Sequence, residues 1–261
     1  VAGALALPAV IGHRGAAAYA PENTIAGLRK AASLGTSWVE FDVRLSGDGM
    51  LVLLHDDSID RTSDGRGAAG AIPLAELKRR DFGAWFSPAF RGERLPTLEE
   101  TVAALAELGL GANVEIKPAP GAEEATGRAV GERLPALWPA TLPPPLVSSF
   151  KPQSLASCRA VAPGLALGLL MKKVEPGWRE RVEQLGCRTL HADQRHLDER
   201  RVREVRDAGY PLLAYTVNDP ARARLLFEWG VDGIISDCPD RVAAARAGGG
   251  EASRSATGVH R

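Results

Sequence analysis

Three observations predict an α/β fold closed into a (β/α)8 barrel. Short apolar runs of three to six residues alternate with helical patterns along most of the chain. Many helical patterns are punctuated as helices should be, with Ser, Thr, Asp or Asn near the start and Gly just past the end, as in Leu34-Gly35, Leu185-Gly186, Ala208-Gly209 and Trp229-Gly230. The length of 261 residues matches the ~250 residues in which such a barrel closes as one domain. Eight alternations imply an all-parallel sheet, because every parallel connection needs a crossover. A doubly wound open sheet is the structural alternative.

In chain order the expected strands are Ala9–Gly12, Trp38–Val43, Ala112–Ile116, Leu146–Ser149, Ala166–Leu170, Thr189–Ala192, Leu212–Val217 and Gly233–Ile235. The expected helices are Ile25–Leu34 behind an Asn23-Thr24 cap, Leu98–Leu108 behind Pro96-Thr97, Glu123–Leu134, Pro152–Val161, Trp178–Leu185, Asp198–Ala208, Pro220–Trp229 and Pro239–Ala247. A Ser46-Gly47-Asp48-Gly49 turn folds a strand-like Leu51–Leu54 back on the Trp38 strand. From about residue 57 to 95 the alternation stops. This insertion has turn signals, a helix-like Leu74–Arg80 and the aromatics Phe82, Trp85, Phe86 and Phe90, which are expected to pack it over one barrel end. A small subdomain that only covers apolar surface is the plainer possibility. Residues 1–247 thus read as one catalytic barrel, and the Gly-, Ser- and Ala-rich tail 248–261 as disordered.

An apolar fraction of 45% and a charged fraction of 25% are those of a soluble globular protein. Lys plus Arg equals Asp plus Glu, so no net charge argues for nucleic acid or an anionic membrane as a partner. Cys158, Cys187 and Cys238 are too few and too scattered for a disulfide framework or a metal site, which suits a reducing compartment. The apolar start has no basic flank and reads as the lead-in to a strand rather than a signal peptide, and no apolar run approaches the ~18 residues of a membrane span. The expected location is the cytoplasm, or the periplasm if a leader has been removed.

The chemistry gathers at strand ends. In Val39-Glu40-Phe41-Asp42-Val43 the two carboxylates share one strand face, and a hard divalent cation between them would offset their repulsion. Glu115 and Lys117 repeat the spacing in the next barrel strand and offer a third carboxylate and a fixed cation for an anionic oxygen. His13-Arg14-Gly15 closes the first strand, with an imidazole, a guanidinium fork suited to phosphate, and a glycine that lets the backbone turn. His55 ends the hairpin strand beside Glu40 and Asp42. A lone histidine in such a place is more often structural, but two flanking a carboxylate pair point to proton transfer. His191 and His196 read as barrel-end or helix-start residues and His260 as tail. Tyr215, Asn218, Ser149-Phe150, Lys172 and Asp237 are weaker candidates, since every barrel strand ends in some polar residue. No P-loop, nucleophile elbow or zinc helix is present. The combination suggests metal-assisted phosphoester hydrolysis.

These motifs occur in order from residue 10 to about 240: His13-Arg14-Gly15, Pro21-Glu22-Asn23-Thr24, Glu40-Phe41-Asp42-Val43, Asp48-Gly49, His55-Asp56, Leu95-Pro96-Thr97-Leu98-Glu99, Glu115-Ile116-Lys117, Thr216-Val217-Asn218 and Gly233-Ile234-Ile235-Ser236-Asp237. With them the chain resembles the glycerophosphodiester phosphodiesterases. The resemblance implies a (β/α)8 barrel that hydrolyses glycerophosphodiesters to sn-glycerol 3-phosphate and an alcohol. It implies one Ca²⁺ or Mg²⁺ ion held by Glu40, Asp42 and Glu115, His13 and His55 as the acid–base pair, and Arg14 and Lys117 at the phosphate. It also suggests a route through a cyclic phosphate. Tyr215 stands where the family often has Trp and lines the substrate pocket. The rival readings are a related barrel phospholipase of C or D type and, from a different class, a non-catalytic binding barrel.

Overall fold

The computed structural model describes residues 6–246. The expected disordered tail, His260 and the last residue of the expected final helix lie outside them. Eight parallel strands close into a barrel: β1 (Val10–Gly12), β2 (Trp38–Leu45), β4 (Gly111–Ile116), β5 (Leu146–Ser149), β6 (Ala166–Met171), β7 (Thr189–Asp193), β8 (Leu212–Tyr215) and β9 (Gly233–Ser236). Pairing of β1 with both β9 and β2 closes the ring. The ninth strand, β3 (Leu51–Leu53), is antiparallel to the end of β2, so the hairpin rises off the barrel rather than joining its wall.

The helices are α1 (Ile25–Ser33), α2 (Leu74–Leu77), α3 (Leu98–Leu108), α4 (Glu123–Leu137), α5 (Pro152–Val161), α6 (Trp178–Leu185), α7 (Glu199–Asp207), α8 (Pro220–Trp229) and a ninth, α9, over 239–246. Thr24 caps α1, and Thr97 with Glu100 forms a reciprocal capping box on α3, each cap worth about 1 kcal/mol. Gly127 and Gly131 on α4 let α5 approach closely, since a Cβ at Gly127 would lie 2.2 Å from the Ser154 carbonyl oxygen.

Strand side chains alternate as the period of two requires. Val39, Phe41, Val43, Ala112, Val114 and Ile116 face the helices and belong to the main apolar core. The inward set is layered. Ile11, Trp38, Leu146, Ala166, Leu213 and Ile235 fill the bottom of the barrel. Polar side chains, among them Glu40, Asn113, Ser148 and His191, follow above and are buried. His191, expected at a barrel end, is instead wholly inside: it points inward from the middle of β7, and its Nε2 lies 2.9 Å from the Thr189 hydroxyl. The inward register of β7 decides this, because Thr189, His191 and Asp193 share one face.

The insertion packs differently from the expectation. Its own small core is Ile59, Ala69, Leu77, Phe82 and Leu95, set against Val52 and Leu54 of the hairpin. Only Phe82 of the four aromatics takes part. Trp85, Phe86 and Phe90 stack edge-to-face on each other, and Trp85 is 39% exposed. The hairpin's Val52 and Leu54 are covered instead by this mostly aliphatic cluster.

Candidate active site

The carboxyl ends of the strands meet at one mouth. Register places Asp42 beside Glu115 and Glu40 beside Asn113. One carboxylate oxygen each of Glu40, Asp42 and Glu115 falls within 4.8 Å of the others, and all three residues are buried. Arg14 Nε lies 3.3 Å from Asp42, and Lys117 Nζ lies 2.7 Å from Glu115 and 3.6 Å from Asp42. Two cations against three carboxylates leave one negative charge without a counterion.

That imbalance is visible in the acidities. Burial raises Glu40 well above the carboxylate range, helped by the charges of Asp42 and Glu115. Burial and then Asp42 push Glu115 up to about 7. Burial opposes ionisation of Asp42 too, yet Arg14 and Lys117 hold its carboxyl well below the usual range. Asp42 carries the charge, and its neighbours are driven toward protonation. Glu40 Oε1 is buried without a hydrogen-bond partner. A hard divalent cation would meet that oxygen and replace the protons, so the donor set fits one.

Several residues hold this arrangement in place. Arg14 and Asn23 adopt left-handed backbones, at φ 49° and 55°, rare for residues other than glycine and costly unless the surroundings impose them. The turn at Arg14 aims its backbone N–H at Glu40 Oε2, 3.0 Å away. Asn23 donates from Nδ2 to Asp42 Oδ2 at 2.9 Å and accepts the Asp42 backbone N–H at 3.0 Å. Gly15, at φ 91°, cannot be replaced, because a Cβ would lie 2.5 Å from the Gly27 backbone.

Each histidine has its own carboxylate. His13 Nδ1 is 2.6 Å from Asp237 Oδ1, and His55 Nδ1 is 2.7 Å from Asp56 Oδ1. Asn218 fixes Asp237 by donating to Oδ2 at 2.6 Å and accepting the Asp237 backbone N–H at 2.9 Å. Burial lowers the pKa of His55, with the Asp42 charge working the other way. Arg44, buried on β2, donates to the carbonyls of Leu54 at 3.1 Å and His55 at 2.7 Å, which locks the backbone that carries the imidazole.

His13, Arg14, His55, Glu115, Lys117 and Tyr215 line one cavity of about 440 Å³ together with Phe150, Asp193 and Arg195. Tyr215 turns its hydroxyl away to donate to the Met171 carbonyl at 2.8 Å and presents its ring edge-on to Phe150. Among the weaker sequence candidates, Asp237, Asn218 and Phe150 come to the mouth, whereas Lys172 is exposed beyond β6 and does not line it. Sequence reasoning assigned no role to Glu22, Arg44, Asp56 or Arg61 and read Asn23 only as part of a helix cap, whereas Thr24 caps the helix and Asn23 holds Asp42. The runs Pro21-Glu22-Asn23-Thr24 and His55-Asp56 were the available signal for three of them.

A barrel mouth with two oriented imidazoles, two fixed cations and a buried carboxylate cluster is built to break a bond in an anionic ester, which makes this a phosphoester hydrolase. Comparison with known proteins narrows the class. Residues 13–241 match the model of the glycerophosphoryl diester phosphodiesterase family. A glycerophosphodiester phosphodiesterase of Caldanaerobacter subterraneus is 35% identical over 242 residues, covering 88% of this chain and 94% of the relative. One from Bacillus subtilis is 31% identical over 248 residues, covering 88% and 83%. The structure of an Oleispira antarctica phosphodiesterase in complex with the product sn-glycerol-3-phosphate superposes with a TM-score of 0.90 at 43% identity, covering 92% of this chain and 97% of that one. The chain belongs to the glycerophosphoryl diester phosphodiesterase family and is a hydrolase of glycerophosphodiesters.

Proposed function

We propose that His13 and His55 exchange protons on either side of a glycerophosphodiester, with Glu40, Asp42 and Glu115 holding one Ca²⁺ or Mg²⁺ ion and the products being sn-glycerol 3-phosphate and an alcohol. The observation that carries this reading is the pairing of each Nδ1 with an aspartate, His13 with Asp237 and His55 with Asp56, while both rings line the same cavity. An Nδ1–H donated to a carboxylate fixes the ring and leaves Nε2 to take or give a proton. Arg14 and Lys117 lie where they can balance charge gathering on the phosphoryl oxygens. The bound cation would add Lewis-acid polarisation of a phosphoryl oxygen.

One imidazole accepts the proton of the glycerol 2-hydroxyl as that oxygen attacks phosphorus. The other donates a proton to the departing alcohol oxygen as its bond to phosphorus breaks. Water then opens the cyclic phosphate with the two histidines in exchanged roles. Tyr215 and Phe150 give the cavity an apolar wall for the carbon skeleton of the substrate.

His13→Ala and His55→Ala are each expected to lose roughly 10²–10⁴-fold in turnover on glycerophosphocholine, the usual worth of general acid–base catalysis, with divalent-ion binding retained. Near-normal turnover in both variants would refute the roles given to the histidines. A panel of glycerophosphodiesters assayed with each ion, scoring glycerol phosphate release, selects between Ca²⁺ and Mg²⁺.

A further inference from the structure

Arg61 lies in the insertion, outside the barrel wall, and its guanidinium reaches two carboxylates that belong to separate parts of the mouth. Its Nη1 and Nη2 donate to Glu22 Oε2 and Oε1 at 2.7 and 2.8 Å. Its Nε and Nη2 donate to Asp56 Oδ2 and Oδ1 at 2.6 and 3.2 Å. Beyond these carboxylates stand two residues of the proposed machinery. Glu22 Oε1 accepts from Arg14 Nη1 at 2.7 Å, and Asp56 Oδ1 meets His55 Nδ1 at 2.7 Å. One planar group thus closes a continuous path from Arg14 to His55 through Glu22, Arg61 and Asp56.

We propose that Arg61 is a positioning residue that sets the Arg14 fork and the His55 ring together, so that the insertion completes the active site rather than merely covering it. Asp56 is 31% exposed and joined to His55 by adjacent backbone, so alone it could turn toward water. Held through both oxygens, it presents one fixed acceptor to Nδ1. Glu22, shared between two guanidiniums, keeps Arg14 from swinging fully onto the carboxylate cluster. The side chain of Arg61 is 45% exposed, so water screens its ion pairs and the clamp serves orientation more than stability. A fork with donors on two edges is needed. The single ammonium of lysine cannot engage two carboxylates bidentately.

The inference rests on the proposed roles of His55 and Arg14, so the test carries its own control. Turnover of glycerophosphocholine is measured for Arg61→Gln, Arg61→Lys, Asp56→Asn, the double variant Arg61→Gln/Asp56→Asn and His55→Ala, alongside melting temperature and divalent-ion affinity. Arg61→Gln and Arg61→Lys should each lose on the order of 10–100-fold in kcat, the range found for groups that orient a site from behind. Melting temperature and ion affinity should stay near wild type. The double variant should lose little more than Asp56→Asn alone, because both substitutions break one path. Two results overturn the clamp: an Arg61 variant within twofold of wild-type kcat, or losses that multiply in the double variant. A His55→Ala variant that keeps full turnover would instead defeat the reading of the histidines. Should Arg61→Gln fail to fold, Arg61→Lys decides alone, since it retains the charge and the aliphatic stem.

Discussion

Asp237 and Asp56 each meet the Nδ1 of one histidine, and they differ in how they are held. Asp237 is fixed by Asn218, a neighbour across the β8–β9 edge, whereas Asp56 depends on Arg61 from the insertion. Arg61 first, and then His55, draws the Asp56 carboxyl down to about 2, so it stays ionised across the working range. Asp237→Asn removes the charge that steadies a protonated His13 and is expected to lower kcat by roughly 10–100-fold with little change in fold. Steady-state kinetics checks this, and unchanged kcat would dismiss Asp237 as an orienting group. His191 makes a prediction of another kind. Burial drives its pKa down to about 3 from an ordinary 6.5. The unfolded chain therefore takes up a proton that the folded chain refuses. The stability this represents is complete above about pH 6.5 and falls as pH drops toward about 3, by roughly 1.4 kcal/mol per pH unit. His191→Gln, which cannot titrate, should show a shallower loss of unfolding free energy between about pH 6.5 and about pH 4.5, by roughly 2 kcal/mol in urea titrations. Equal slopes for the two proteins would mean that His191 is protonated in the folded state.

The elements differ in how plainly the sequence announces them. Barrel strands and their helices were legible within a few residues because period-two burial, capping side chains and helix-ending glycines are local. The expected Trp38–Val43 strand runs on to Leu45, since Arg44 and Leu45 pair with the hairpin. The expected Leu212–Val217 strand stops at Tyr215, where the chain turns to place Asn218 against Asp237. The α4 helix continues past Leu134 through Pro135 to Leu137. The insertion was legible only as an interruption. Its helix, expected over Leu74–Arg80, is the single turn Leu74–Leu77, and what shapes the segment is contact with β3 rather than any period of its own. For the same reason Arg44 and Arg61 went unread. Their partners are 5 to 39 residues away, and nothing local marks an arginine that will clamp a loop. The dependence on contact can be tested through Phe82, which is 3% exposed in the insertion's own core. Phe82→Ala should cost about 3–5 kcal/mol locally, the usual range for a buried phenylalanine. Proteolysis is then expected to cut between residues 57 and 95 well below the melting temperature of the barrel, with activity falling as the Arg61 contacts loosen. An insertion as protease-resistant as wild type would show that the barrel holds it by other means.

At the scale of the whole molecule, barrel closure makes the site. His13 and Asp237 are 224 residues apart in the chain and meet only because β1 pairs with β9. Pairing of β2 with β4 brings Glu40 and Asp42 beside Glu115, and the barrel denies all three water, so the cluster is costly until a counterion arrives. Glu115, raised to about 7, binds a proton in the folded chain that it would release in the unfolded one. Without a divalent ion, folding stability therefore declines as pH rises from about 4.5 to about 7, the interval between its unfolded and folded values. An ion that binds the folded state adds RT ln(1 + [ion]/Kd), about 2.7 kcal/mol at a hundredfold excess over Kd. For a chain of this size that amounts to a rise of roughly 5–10 °C in melting temperature. Because the proton on Glu115 competes for the same oxygens, the rise should be larger at about pH 8 than at about pH 6. Thermal melts of chelator-treated protein with and without added Ca²⁺ or Mg²⁺, run at both pH values, read this directly, and Glu115→Gln should abolish most of the difference. A melting temperature indifferent to both ions at both pH values would leave the three carboxylates without the cation assigned to them.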